Sequence, residues 1–111
     1  MTDIEEIIQK LVDFRNERDW EKFHNAKDLA LAISIEAAEL LELFLWKEPD
    51  EASQEKIKKE LADIFAFALL LANKFGLDVK KIILDKIEEN NSKYPAEKAK
   101  GTAKKYNELD K

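Results

Sequence analysis

The sequence predicts an all-α fold: a four-helix bundle completed by association with further copies of the chain. Three observations lead there. The 111 residues include only two glycines and two prolines, too few turn formers for a sandwich or barrel that reverses direction roughly every ten residues. Apolar residues recur at helical spacing along most of the chain. Two segments, 29–45 and 64–72, are apolar on nearly every side, and a bundle of this size cannot surround both of them by itself.

The elements follow in order. Thr2 with Glu5 forms a capping-box signature, and Ile4, Ile7, Ile8, Leu11 and Val12 make one stripe of a first helix ending near Arg15. The stretch Arg18–His24 breaks that stripe and reads as a turn or short connector. Asn25 caps a second helix with Asp28 in its first turn; it runs to Trp46 or Lys47 and is stopped by Pro49. A third helix starts near Asp50 or Ser53 and ends at Phe75, before Gly76. Asp78 caps a fourth, with Val79, Ile82, Ile83 and Ile87 on its inner stripe, ending before Tyr94–Pro95. Residues 95–111 read as a polar, Lys-rich tail, and 1–111 as a single domain.

Composition narrows the function. With 24 acidic and 19 basic residues the formal net charge is −5, which argues against a surface that coats DNA or RNA, since phosphate binding needs a positive excess unless a metal ion intervenes. The longest apolar run, Ile64–Ala72, is less than half the ~20 residues of a membrane span, so no membrane partner is expected. The N-terminus is acidic where a signal peptide is basic, and no cysteine offers a disulfide or thiolate site; a cytoplasmic protein is expected.

The chemistry concentrates in four carboxylates. Glu36 and Glu39 sit in the second helix, Glu60 and Asp63 in the third, each pair spaced i, i+3 and so on one face. In an antiparallel hairpin about the Pro49–Asp50 junction, Glu36 falls opposite Asp63 and Glu39 opposite Glu60. Four like charges among Ile, Leu and Phe repel one another and are costly to desolvate. A hard divalent cation makes the set tolerable, and an all-oxygen donor set suits magnesium or manganese. The bland alternative places these acids in water, as in most charged helices.

These residues resemble a family, the all-α nucleotide pyrophosphatases of the MazG-like superfamily, with its E-x-x-E and E-x-x-D helix pairs. The stretches Phe14-x-x-Glu17-Arg18-Asp19-Trp20-Glu21-x-Phe23-His24 and Glu36-x-x-Glu39-Leu40-x-Glu42-Leu43-Phe44-x-Trp46-Lys47 are similar to the dCTP pyrophosphatase branch. So are Glu60-Leu61-x-Asp63, Lys93-Tyr94-Pro95 and Lys105-Tyr106-x-Glu108-Leu109. The resemblance implies magnesium-dependent hydrolysis of dCTP to dCMP and diphosphate, serving nucleotide-pool sanitation, in a homodimer or homotetramer. It implies Glu36, Glu39, Glu60 and Asp63 as metal ligands, Trp20, His24 and Trp46 around the nucleoside, and Lys86, Asn90, Lys93 and Tyr94 facing phosphates and sugar. Phe67 stands where the animal dCTP enzymes carry Tyr, which removes one hydroxyl contact, expected near the sugar.

Each of these residues also has an ordinary reading. Trp20 and Trp46 suit base stacking or plain interface packing; His24 suits a base or phosphate contact, or a structural hydrogen bond; Lys86 and Lys93 suit phosphate charge or solvent. Glu36 or Glu39 is the expected general base. Two other functions fit the same sequence: a broader pyrophosphatase of dUTP or other nucleoside triphosphates, and a non-catalytic helical oligomer that binds nucleotides or a protein.

Overall fold

The computed structural model describes residues 1–109; the last two residues of the expected tail, Asp110 and Lys111, lie outside the described residues. Its helices are α1 (Asp3–Glu17), α2 (Ala26–Glu42), α3 (Gln54–Lys74), α4 (Val79–Lys93) and a single turn, α5 (Ala96–Ala99). No strand occurs among the described residues, so the fold is all-α. None of the helices is long and apolar enough to cross a membrane. Internal contacts divide the chain into two units, Met1–Leu77 and Asp78–Lys111.

Each long helix begins at a side chain that accepts a free backbone N–H. The capping box is complete: Thr2 Oγ1 accepts from Glu5 N–H and Glu5 Oε2 from Thr2 N–H, both at 3.2 Å. Asn25 Oδ1 accepts from Asp28 N–H at 2.8 Å, Ser53 Oγ from Lys56 N–H at 3.4 Å, and Asp78 Oδ1 from Lys81 N–H at 3.0 Å. At the far end of α3, Gly76 takes φ +64°. Its N–H bonds to Asn73 C=O and that of Leu77 to Ala72 C=O, both at 3.0 Å. This pair of bonds satisfies two carbonyls that the helix end leaves open.

One expected boundary moves. α2 ends at Glu42, about one turn before Trp46 or Lys47. Leu43, Phe44, Leu45 and Lys47 instead donate to carbonyls three residues back, at 3.0–3.3 Å, and Trp46 adopts φ +62°. Such tight turns replace α-helical bonds, and a left-handed residue reverses the chain. Leu43–Leu45 prolong the apolar pattern, so periodicity overshoots here. The tail is also less plain than expected, since it contains α5 and a 3-10 turn at Tyr106–Glu108.

In the first unit α2 and α3 form the principal interface, with α1 against α3. Glu36 meets Glu60 and His24 meets Phe67; one number rises as the other falls, so α2 and α3 run antiparallel. Leu29, 1% exposed, and Leu70, at 5%, seal the core with Ala72. Leu31, Ile35 and Leu41 on α2, and Leu61 and Phe65 on α3, remain exposed. Because Leu29 is enclosed, Leu29→Ala should cost about 2–5 kcal/mol in urea denaturation. A cost under about 1 kcal/mol would contradict a sealed position.

Candidate functional site

The α2–α3 hairpin brings one oxygen each from Glu36, Glu60 and Asp63 within 4.8 Å of one another. Glu36 and Glu60 are half-buried and Asp63 is exposed. Glu36 Oε2 and Glu60 Oε2 are both shielded from solvent and have no hydrogen-bond partner. Ionised carboxylates only accept hydrogen bonds, so the two oxygens cannot satisfy each other without a shared proton or a cation. Burial pushes the Glu36 carboxyl up from 4.5 to about 7, helped by the approach of Glu60 and Glu39 and by the charges of Glu39 and Asp63.

Glu39 is thus within reach of Glu36, yet its oxygens are not among the three that converge. Glu36 meets Asp63, the partner expected at its height, and Glu60 as well. These residues fit a hard divalent ion on two grounds. The donors are all oxygen, and two shielded carboxylate oxygens lack the positive partner that such an ion supplies.

Beside the carboxylates lies an aromatic and cationic flank. Phe67 follows Asp63 by four residues on α3 and so shares its face. The Phe67 ring meets the His24 ring edge to face, with centroids 6.3 Å apart. His24 Nδ1 is shielded and has no partner. Burial lowers the His24 pKa from 6.5, and the charges of Arg15 and Lys74 lower it further, so the imidazole is neutral at pH 7.

Trp20 is fixed to the end of α1, its N–H bonded to Arg15 C=O at 3.0 Å and its ring edge-on to Phe14 at 5.9 Å. Trp46 is wholly exposed beyond the other end of α2. The 17 residues of α2 span ~25 Å, so one chain does not bring Trp20 and Trp46 into a single pocket. Arg15, only 7% exposed, escaped the sequence reading. The signal was there, because Arg15 continues the spacing of Ile4, Ile8 and Leu11 and therefore lies on the buried stripe of α1.

Lys86, Asn90, Lys93 and Tyr94 belong to the second unit. Glu89 holds Lys86 Nζ at 3.2 Å and Lys93 Nζ at 3.1 Å, and Lys93, then Lys86, draw the Glu89 pKa down. Tyr94 N–H donates to Asn90 C=O at 2.7 Å and closes α4. Phosphate binding by the two lysines would exchange an existing carboxylate partner.

An all-α hairpin carrying converging carboxylates is the setting in which the relatives of this chain become informative. The profile of the MazG-like family matches residues 31–109. Human dCTP pyrophosphatase 1 is 34% identical, in an alignment covering 96% of this chain and 67% of that protein. The rat protein of the same name is 35% identical over the same shares. The crystal structure of a pyrophosphatase from Archaeoglobus fulgidus superposes with TM-score 0.80 at 35% identity, covering 86% of this chain and 94% of that one. The chain belongs to the MazG-like family of nucleotide pyrophosphatases.

The raised Glu36 pKa fixes a sign. The folded chain holds a proton that the unfolded chain releases near pH 4.5, so without metal its stability should fall as pH rises from about 4.5 to about 7. Thermal melts in a chelator should show a declining Tm over that window, and Glu36→Gln should flatten it. A Tm that rises with pH there, or is unaffected by Glu36→Gln, would contradict the crowded carboxylates.

Proposed function

We propose that this chain is a magnesium-dependent pyrophosphohydrolase that converts dCTP to dCMP and diphosphate, in nucleotide-pool sanitation in the cytoplasm. The observation that carries the reading is the convergence of Glu36, Glu60 and Asp63 around two unpartnered oxygens, in a chain similar to dCTP pyrophosphatases along most of its length. Hydrolysis of nucleotide diphosphate bonds is the chemistry of the family; the magnesium ion, the base and the sugar are the proposed part.

Glu36, Glu60 and Asp63, with Glu39 alongside, would hold magnesium, and manganese could substitute. When bound, the ion supplies positive charge that screens the triphosphate and polarises the phosphorus. Glu39 lies beside Glu36 but outside the converging trio, which leaves its carboxylate to hold a water and take its proton. Trp20, 43% exposed, offers a face for the base. Residues 1–111 would act as one catalytic domain. A second copy covers Ile35, Leu41 and Phe65, giving a homodimer or homotetramer; apolar patches of this extent seldom stay open to water.

A panel of nucleoside triphosphates with product identification tests the reaction. dCTP should yield dCMP and diphosphate and should be the preferred substrate, with activity lost in a chelator and restored by magnesium. Glu39→Ala and Asp63→Ala should each lower turnover by about 100-fold or more while circular dichroism stays helical. Release of orthophosphate, or near-normal turnover in both variants, would overturn the reading.

A further inference from the structure

We propose that the end of α1 is built to aim Trp20: Phe14, braced by Arg18, is a positioning residue that fixes the indole in the attitude in which it stacks on a nucleobase. The inference rests on the nucleotide reading above, in which Trp20 offers a face to the base, and names what holds that face.

The backbone at Trp20 is tied on both sides. Asp19 takes φ +54°, a left-handed turn that glycine adopts freely and aspartate only against steric resistance. Asp19 N–H bonds to Asn16 C=O at 3.1 Å and Trp20 N–H to Arg15 C=O at 3.0 Å, the pair of bonds that stops a helix tightly. Trp20 C=O then accepts from Phe23 N–H at 2.9 Å. Across the same turn the Asp19 carboxylate meets Lys22 Nζ at 3.0 Å.

A helix stop of this kind is often accompanied by an apolar contact between the residue after the turn and one in the last helical turn. Trp20 and Phe14 occupy those places, and their rings meet edge to face at 5.9 Å and 72°. Two details exceed what stopping a helix needs. Any apolar side chain of similar size supplies the contact, whereas an aromatic pair also has a preferred geometry and so fixes orientation. Phe14 is moreover held in turn: the Arg18 guanidinium lies over its ring, 3.7 Å from the centroid, and Arg18 Nη1 donates to Phe14 C=O at 3.0 Å.

Burial does not account for this arrangement, since Phe14 is 49% and Trp20 43% exposed. Phe14 takes at most one face of the indole and leaves the other open. An aromatic face ordered in advance binds by stacking without a further ordering cost. The chain then reaches the candidate site in four residues. The 3-10 turn Glu21–Phe23 leads to His24, whose ring meets that of Phe67 at 6.3 Å, and Phe67 follows Asp63 by about one turn of α3.

Equilibrium binding of dCMP to the full-length protein tests this, together with acrylamide quenching of Trp20 fluorescence in a Trp46→Phe background, where Trp20 is the sole indole. Trp20→Ala should weaken dCMP by about 5- to 100-fold, the effect of losing one base–aromatic stack. Phe14→Leu keeps an apolar contact at the helix stop and should stay folded. It should still weaken dCMP by about 3- to 10-fold, the effect of losing an aromatic pair, and expose Trp20 further to acrylamide. Arg18→Gln should raise quenching in the same direction, and Phe14→Tyr, which keeps the ring, should restore wild-type binding. In the Trp20→Ala protein Phe14→Leu should add nothing, because a positioning residue acts only through the ring it positions. In turnover its effect should fall on KM and spare kcat. Phe14→Leu that binds dCMP as the wild type does, or whose loss adds in full to that of Trp20→Ala, would overturn the proposal and leave stacking by Trp20 standing. Unchanged dCMP binding in Trp20→Ala would overturn the base-face reading and the proposal with it.

Discussion

The α2–α3 hairpin is organised around mutual repulsion between carboxylates that the helices hold together. Glu36, Glu60 and Asp63 have oxygens within 4.8 Å of one another, where every pair of negative charges raises the energy of the metal-free fold. Neither carboxylate partner can relieve the other, because both only accept hydrogen bonds. The strain is answered in one of two ways, by a proton shared at Glu36 or by a cation. The fold holds the acids in place through features remote from them. The Ser53 cap and the Gly76 turn fix the two ends of α3, and Leu29 and Leu70 clamp it to α2.

One direction along the hairpin follows from that centre. Moving along α3 from Asp63 toward Lys74, the carboxylates give way to the Phe67 ring, which meets His24. On the proposed reading this is the order a nucleoside triphosphate needs: metal-bridged phosphates, then the nucleoside. Trp46 stands outside that order, wholly exposed at the opposite end of α2. A second copy that covers the apolar faces of α2 and α3 would also give Trp46 a surface to meet.

How much was legible in the sequence depends on how local each cause is. Thr2 with Glu5, Asn25 and Asp78 cap helices through atoms within three residues, and all were readable. Gly76 was readable because a left-handed helix stop favours glycine. The end of α2 was not, because Leu43–Leu45 keep the helical apolar pattern while their backbone tightens, and nothing in a Trp marks φ +62°. The carboxylate pairs emerged from i, i+3 spacing, but which of their oxygens converge depends on the Leu43–Ser53 connection, which periodicity does not encode. Arg15 was overlooked because composition files arginine as a surface residue, although its register with Leu11 placed it inside. Gly76 and Asp78 marked the helix break at the division between Leu77 and Asp78, but no shift in composition marked it as a boundary between units.

The central claim, that the crowded acids are a divalent-ion site, is tested most directly by calorimetric titration of manganese into the metal-free protein in two buffers of different ionisation enthalpy at pH 7. Glu36, its pKa raised to about 7 by burial and by its carboxylate neighbours, keeps a share of a proton that a cation must displace. Saturable binding with a fractional proton released per ion, lost in Glu36→Gln and in Asp63→Asn, is the outcome the account requires. Absence of saturable binding, or binding whose heat is the same in both buffers and in both variants, would contradict it.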